Sequence, residues 1–310
     1  MESTTFTTMA SDGTALFTYR WLPEGPPRAI VQIAHGMAEH AARYARFAEV
    51  LTGAGYAVYA NDHRGHGHTS PLGPDHGYFA DNRGFAKVVA DLHVVTEHAR
   101  AEQPGLPVFL FGHSMGSFLS RAYAADYGAE LTGVVLSATA GDQGILGKVG
   151  RGIALAESKA LGRRHVSPVM DKLSFGKFNA SFKPARTAFD WLSRDDAEVD
   201  KYVADPLCGN TFTAGFYVDL LDGLTFIHSA STSARVPKSL PIHLIAGSQD
   251  PVGDNTKGVE QVAKQYRKAG IEHVTTRYYL DARHELLNET NRDEIMADIV
   301  AWFDAHLNGA

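Results

Sequence analysis

Val108-Phe109-Leu110-Phe111-Gly112-His113-Ser114-Met115-Gly116 reads as a short apolar strand that runs directly into a G-x-S-x-G pentapeptide. Leu119, Tyr123 and Tyr127 follow at helical spacing. The pentapeptide alone is common, and a glycine-rich turn is its plain alternative. The strand before it and the helix after it give it meaning. A strand-to-helix turn this tight forces the serine into a strained backbone conformation, and the flanking glycines leave room for it. Ser114 then projects above a sheet, and the helix N-terminus offers amide donors to a developing oxyanion.

The same rhythm extends on both sides. Towards the N-terminus, residues 29–34 form an apolar run, followed by a helix carrying Tyr44, Phe47, Ala48 and Leu51 that Gly53 and Gly55 close. Residues 56–60 are the next run, and residues 84–101 a second helix with Phe85, Val88, Val89, Leu92 and Val95 at helical spacing. Towards the C-terminus the expected elements are a strand at 133–136, a strand at 242–246, a helix at 255–268, a strand at 275–280 and a helix at 292–306. Apolar strands alternating with helices mean βαβ units and a mostly parallel sheet flanked by helices, an α/β fold. Residues 5–10 and 16–22, turning at Asp12-Gly13, read as an antiparallel hairpin on the edge of that sheet. Between residues 140 and 233 the rhythm breaks into glycines, basic residues and scattered aromatics. The expected organisation is therefore a core of residues 1–139 and 234–310 with a mainly helical cap, 140–233, inserted between its halves.

Composition narrows the function. The chain of 310 residues is 44% hydrophobic, enough for a full core. A net charge of −6 without a basic face argues against nucleic acid as a partner. One cysteine, Cys208, rules out an intrachain disulfide and a CxxC metal or redox site. No secretory leader is read in residues 1–6, and no apolar run approaches the ~20 residues of a membrane span. The expectation is a soluble cytoplasmic protein.

A nucleophilic serine needs a base, and the base an orienting acid; on this fold the chain order is serine, acid, histidine. Asp250, in Gly247-Ser248-Gln249-Asp250-Pro251-Val252 after a strand, is the candidate acid. Asp254 is a weaker one, placed to cap the next helix. His284 follows the last strand and is the candidate base among 15 histidines, selected by position. A turn-capping aspartate and a satisfied loop histidine are the plain alternatives. The oxyanion donors expected are the Met115 amide and, from the loop His35-Gly36-Met37-Ala38-Glu39-His40, the Met37 amide, with Gly36 allowing close approach. His35 reads as a buttress of that loop. Asn61-Asp62-His63-Arg64-Gly65-His66-Gly67-His68 clusters imidazoles, yet no carboxylate or cysteine completes a ligand spacing, so no metal is expected and Asp62 and Arg64 tie the loop down. No G-x-x-x-x-G-K-[ST] is present.

Taken together, His35-Gly36-Met37-Ala38-Glu39-His40 with Arg43-Tyr44, Asp62-His63-Arg64-Gly65-His66-Gly67, Gly112-His113-Ser114-Met115-Gly116, Gly247-Ser248-Gln249-Asp250-Pro251-Val252 and Arg283-His284-Glu285 resemble the motifs of the monoacylglycerol lipase and lysophospholipase-like serine hydrolases, within the α/β-hydrolase superfamily. The resemblance spans the core and is poor through the cap. Ser117 departs from it where a further glycine is expected, as does His68-Thr69 before Ser70. It implies hydrolysis of long-chain carboxylic esters, a monoacylglycerol foremost, without a cofactor. Gly36, His113 and the cap aromatics Phe178, Phe182 and Phe216 are the candidate substrate-binding residues, from a set that also includes Phe175, Phe189, Trp191, Phe212, Tyr217 and Phe226. For any one of these aromatics the cap's own core is the competing role. An amphipathic cap face in transient contact with a lipid surface is a further expectation. The alternatives are a short-chain carboxylesterase, a peptidase or amidase of the proline iminopeptidase type using Glu157, Asp195, Asp196 or Glu198 to hold an amine, and a non-catalytic binding protein on this scaffold.

Overall fold

A computed structural model describes residues 1–307. Among these, eight strands form one sheet: β1 (Glu2–Met9), β2 (Ala15–Leu22), β3 (Ala29–Ala34), β4 (Tyr56–Asn61), β5 (Val108–His113), β6 (Gly133–Ser137), β7 (Ile242–Gly247) and β8 (Val274–Tyr279). Their spatial order is β1-β2-β4-β3-β5-β6-β7-β8. β1 and β2 make the antiparallel hairpin at one edge, and from β4 to β8 neighbouring strands run parallel. Helices α1 (Ala45–Gly53), α2 (Gly84–Glu102) and α3 (Met115–Tyr127) follow β3, β4 and β5. Between β6 and β7 lie α4 (Gly144–Leu161), α5 (Pro168–Phe175), α6 (Asp196–Ala204), α7 (Ala214–Ile227) and α8 (Ala230–Arg235). Helices α9 (Lys257–Lys268) and α10 (Arg292–Leu307) follow β7 and β8.

The strands β3 to β7 are apolar throughout because both faces are covered. Side-chain alternation sends Phe109, Phe111, Val135 and Ile245 to the face packed by α1 and α10. Leu110, Val134, Leu136 and Leu244 go to the face packed by α2, α3 and α9. The edge strand β8 alternates half-buried and exposed residues, as a strand with one free side should. The expected helix at 255–268 begins later, at Lys257. Asp254, Asn255 and Thr256 have φ of 49°, 50° and 78°, a left-handed run that no helix can include. Asp254 accordingly caps nothing and pairs with Lys257 at 3.7 Å.

Register levels the working edge. Gly112 pairs with Ala34, His113 with Ser137, Ser137 with Ile245 and Gly247 with Tyr279. The loops after β3, β5, β6, β7 and β8 therefore open together at the C-terminal edge, where ligands bind in open α/β sheets. The segment between β6 and β7 is fixed to the sheet's helices. Arg121 of α3, fully buried, donates to the Ala140 carbonyl before α4 at 3.1 Å and to the Ile227 carbonyl at the end of α7 at 3.4 Å.

Within that segment α7 packs closely on α2, where Gly223 faces Phe85 with no space for a Cβ. Gly223→Ala would gain up to ~1 kcal/mol of helix propensity but forces the Phe85 ring aside. Overpacking of that kind costs about 1–3 kcal/mol. The expected result is a lower melting temperature in a thermal denaturation; a melt unchanged or raised would mean the two helices yield freely.

Candidate active site

Ser114 sits at the turn between β5 and α3 with φ 50° and ψ −118°. No L-residue adopts that backbone without strain, and it persists because the surroundings over-determine it. Ser114 N–H donates to the Ser137 carbonyl at 2.9 Å, and the Ser114 carbonyl accepts from the Ser117 and Phe118 amides at 2.9 and 3.3 Å. The Ser117 hydroxyl adds a third bond to that carbonyl at 2.5 Å. The departure at position 117 thus reinforces the turn. Gly116 backs so closely on the Ala34 and His35 carbonyls, and Gly112 on Gly116 and Ser120, that neither position admits a Cβ. Ser114 itself remains partly exposed.

His284 and Asp250 meet on the same edge. The imidazole Nδ1 lies 3.0 Å from Asp250 Oδ1, and both side chains are buried. Asp250 Oδ1 also accepts from the Val252 amide at 2.9 Å, which fixes the carboxylate's rotation. The His284 ring packs on Trp191 at 5.0 Å and on His113 at 4.8 Å. Burial pushes the His284 pKa down, but the carboxylate of Asp250, with Glu285 and Glu39 behind it, outweighs burial and holds it above the ordinary value of 6.5. His113 goes the other way: burial and the neighbouring His284 charge bring it down to about 4.

The loop after β3 lies against the turn. A Cβ on Gly36 would stand 3.3 Å from Ser114 Cβ and 3.2 Å from the His113 ring. The Gly36 amide is engaged by Glu39 Oε1 at 2.6 Å, whereas among the described residues no acceptor takes the Met37 or Met115 amide. Ala38, at φ 58°, turns its carbonyl to the Tyr202 hydroxyl at 2.9 Å and the Gly209 amide at 3.0 Å. His35 stacks on His63 at 4.0 Å and accepts the His63 amide at 2.9 Å, the buttress expected of it. Asp62 binds the Ala41 and His68 amides, and Arg64 pairs with Asp12 and Asp91, so these two residues tie the loop down.

Sequence reasoning left one group of residues without a role. Arg43 makes a two-pronged pair with Glu285 at 2.6 and 2.7 Å and a further bond to Glu39 at 2.7 Å. The Tyr44 hydroxyl donates to Glu39 at 2.8 Å. Glu39 and Glu285 neighbour Gly36 and His284 in the chain, so this buried cluster joins the two loops that flank Ser114. A cavity of about 20 Å³ lies among Glu39, Arg43, Tyr44, His113 and Glu285, room for about one water. His113, expected at the substrate, faces this polar interior. The adjacency of Glu39 to Gly36-Met37 and of Glu285 to His284 was the available signal.

The aromatics expected along an acyl channel separate into two groups. Phe175, Phe178, Phe182 and Phe189 cluster around Trp191, with Phe178 4.8 Å from its ring. Phe182 lies under the Arg283 guanidinium at 4.3 Å. This group adjoins His284. Phe216, in contrast, is fully buried against Phe79 and Phe212, away from that cluster, because α7 turns this face onto the core. Phe212 and Tyr217 share that core, and Phe226 is exposed under Arg235.

A sheet of this order, a strained serine at the β5–α3 turn and a histidine–aspartate pair on later loops define an α/β-hydrolase. The family described as serine aminopeptidase, S33 (Hydrolase_4) matches residues 25–291. The human monoglyceride lipase is 30% identical over 91% of this chain and 87% of its own length. The monoacylglycerol lipase of Mycolicibacterium smegmatis is 30% identical over 93% and 92%. Among solved structures, a highly thermostable carboxyl esterase from Bacillus coagulans in complex with glycerol superposes with a TM-score of 0.92 at 30% identity, covering 99% of each chain. The chain belongs to this serine hydrolase family, among its monoacylglycerol lipase-like members.

An imidazole serves as a base only while neutral, so if His284 is the base, as the sequence leads one to expect, kcat/KM should fall as pH drops through its pKa. That pKa is raised, so the acid limb should lie above 6.5. Glu285→Gln removes one source of the elevation and should move the limb to lower pH. It should also destabilise the fold by about 3–5 kcal/mol, the cost of breaking a buried pair. A pH–rate profile with a soluble ester, beside a urea melt, reads both. A limb that does not move would show that Glu285 acts on stability alone.

Proposed function

We propose that Ser114, His284 and Asp250 form the catalytic triad of a carboxylic ester hydrolase, and that its substrates are monoacylglycerols or similar long-chain acyl esters. The buried Asp250–His284 pair beside a strained, partly exposed serine carries this reading. Ser114 Oγ attacks the ester carbonyl while His284 takes its proton. Asp250 holds the imidazole tautomer and stabilises the imidazolium. The Met37 and Met115 amides receive the oxyanion, the alcohol departs with the proton from His284, and water then releases the acid. All the groups this requires are protein groups.

Two lipase relatives at 30% identity over more than nine-tenths of the chain support the substrate class. Glycerol, found in the Bacillus coagulans esterase, is the alcohol that monoacylglycerol hydrolysis releases. The aromatic cluster around Trp191, beside His284, would seat an acyl chain, each buried methylene adding about 0.8 kcal/mol. The peptidase alternative needs a free carboxylate to hold an amine, and the four candidates are otherwise engaged. Glu157 accepts from Ser167, Asp195 pairs with Arg292, Asp196 with Arg186, and Glu198 with Arg46 and Lys201.

Residues 140–233 would act as the cap that selects the acyl chain, and α4 as its contact with lipid. Ile145, Leu146, Val149 and Ile153 line one face of α4 and are 78%, 78%, 54% and 37% exposed, an apolar surface that costs free energy unless covered. No helix among the described residues is long and apolar enough to cross a membrane.

An acyl series of p-nitrophenyl esters from acetate to palmitate, followed by monoacylglycerols, tests the substrate class, with Ser114→Ala as the inactive control. A rate peaking at medium or long chains with glycerol released is expected. A rate confined to acetate and butyrate would make this a small-ester carboxylesterase, and hydrolysis unchanged in Ser114→Ala would remove the serine from the mechanism. The double substitution Ile145→Ser, Leu146→Ser should lower the rate on micellar monoacylglycerol and leave a soluble short ester unaffected. Equal losses on both would deny α4 a role at the lipid surface.

A further inference from the structure

One side-chain cluster near the candidate site takes no part in the proposed reaction. His40 closes the loop that carries Met37, and its Nε2 lies 2.9 Å from Asp205 Oδ2. Cys208 stands beside them, and one ligating atom from each of the three lies within 4.8 Å of the other two. His40 Nδ1 is buried without a hydrogen-bond partner. Asp205 and Cys208 are set by one turn, in which the Leu207 amide binds Asp205 Oδ1 at 2.9 Å and the Cys208 amide binds the Asp205 carbonyl at 3.0 Å. The histidine and cysteine are nearly closed off, whereas Asp205 is 28% exposed and gives an entry path. Arg43 is a neighbouring cation, and Glu39 and Glu285 take up its charge.

We propose that His40, Asp205 and Cys208 form a binding site for a soft or borderline divalent cation, Zn²⁺ above all, and that its occupation inhibits the enzyme. Imidazole, carboxylate and thiolate are the zinc donor set, and three protein ligands leave the fourth position to water. A thiolate in the set disfavours Mg²⁺ and Ca²⁺. Binding displaces the thiol proton to solvent and forms one bond each from nitrogen, oxygen and sulfur to the metal, with no redox change. The inhibition follows from geometry. Bonds of about 2.0–2.1 Å to nitrogen and oxygen in a tetrahedron put those two atoms about 3.3 Å apart, whereas they now stand at 2.9 Å. The metal must part His40 from Asp205. His40 is three residues from Met37, and the Ala38 carbonyl between them is anchored to Tyr202 and Gly209 on the same segment. The displacement therefore reaches the loop that carries one of the two oxyanion donors.

Binding is independent of the proposed substrate, and only the inhibitory effect rests on the triad reading. The direct test loads the full chain with Co²⁺ and looks for thiolate-to-cobalt charge-transfer absorption, with Cys208→Ala as its control. The band is expected in the wild type and absent in the variant; no band in the wild type overturns the site whatever the activity. In parallel, micromolar Zn²⁺ should lower ester hydrolysis by about ten-fold or more, as a sub-ångström misplacement of a donor can, and a chelator should restore it. Cys208→Ala should keep the metal-free rate and lose the sensitivity. Inhibition of equal strength in that variant would place the metal elsewhere, the His284 imidazole included, and overturn the inhibitory role.

Discussion

The organisation of this protein depends on a close approach between α3 and the end of β3. Gly116 lies against the Ala34 and His35 carbonyls with no space for a side chain. That contact lets β5 turn into α3 within one residue, and it holds Ser114 in a backbone conformation it would not otherwise adopt. The same contact brings the loop after β3 beside the serine, so that a side chain on Gly36 would crowd the Ser114 Cβ. Ser114 and the loop after β3 are thus positioned by one steric fact. Dispersion and burial on both sheet faces sustain it, since β3 and β5 are fully covered.

Much of this was legible in the sequence because it is written in local pattern. Buried parallel strands declare themselves as apolar runs, and the helices between them by their period, so the order of elements followed directly. The positions of Ser114, Asp250 and His284 on one edge follow from that order together with the loops that end β5, β7 and β8. What was not legible has no period. Arg43 and Glu285 are 242 positions apart, and nothing in either neighbourhood announces the other. The start of α9 was misplaced because three consecutive left-handed residues, Asp254 to Thr256, carry no glycine to mark them. Phe178 and Phe216 looked alike as aromatics in the same segment. Phe178 lies in a short turn after α5 that packs on Trp191 near His284, whereas Phe216 lies on the face of α7 that enters the core.

The electrostatics of the edge work by contrast. His113 and His284 pack ring against ring, both buried, yet their proton affinities diverge. Two imidazolium ions could not share that space. Asp250 assigns the proton to His284, and His113 is left neutral to fill the gap between β5 and the acidic cluster. Glu39 shows the same economy. Burial raises its pKa, but Arg43, the Tyr44 hydroxyl and the Gly36 amide bring it below the ordinary carboxylate value, so it stays ionised. The network is therefore satisfied where an isolated carboxylate would not be.

The stretch from Asp190 to Gly209 is bonded to both loops. Trp191 and Leu192 carbonyls receive the His284 and Glu285 amides, and Tyr202 and Gly209 hold the Ala38 carbonyl. It is therefore no removable module. Exchanging it for the corresponding stretch of a relative would also disturb the His284 imidazole and the loop after β3. If this stretch selects the substrate as proposed, a change made there for selectivity also reaches the backbone that holds His284 and Ala38, so selectivity and turnover would not vary independently.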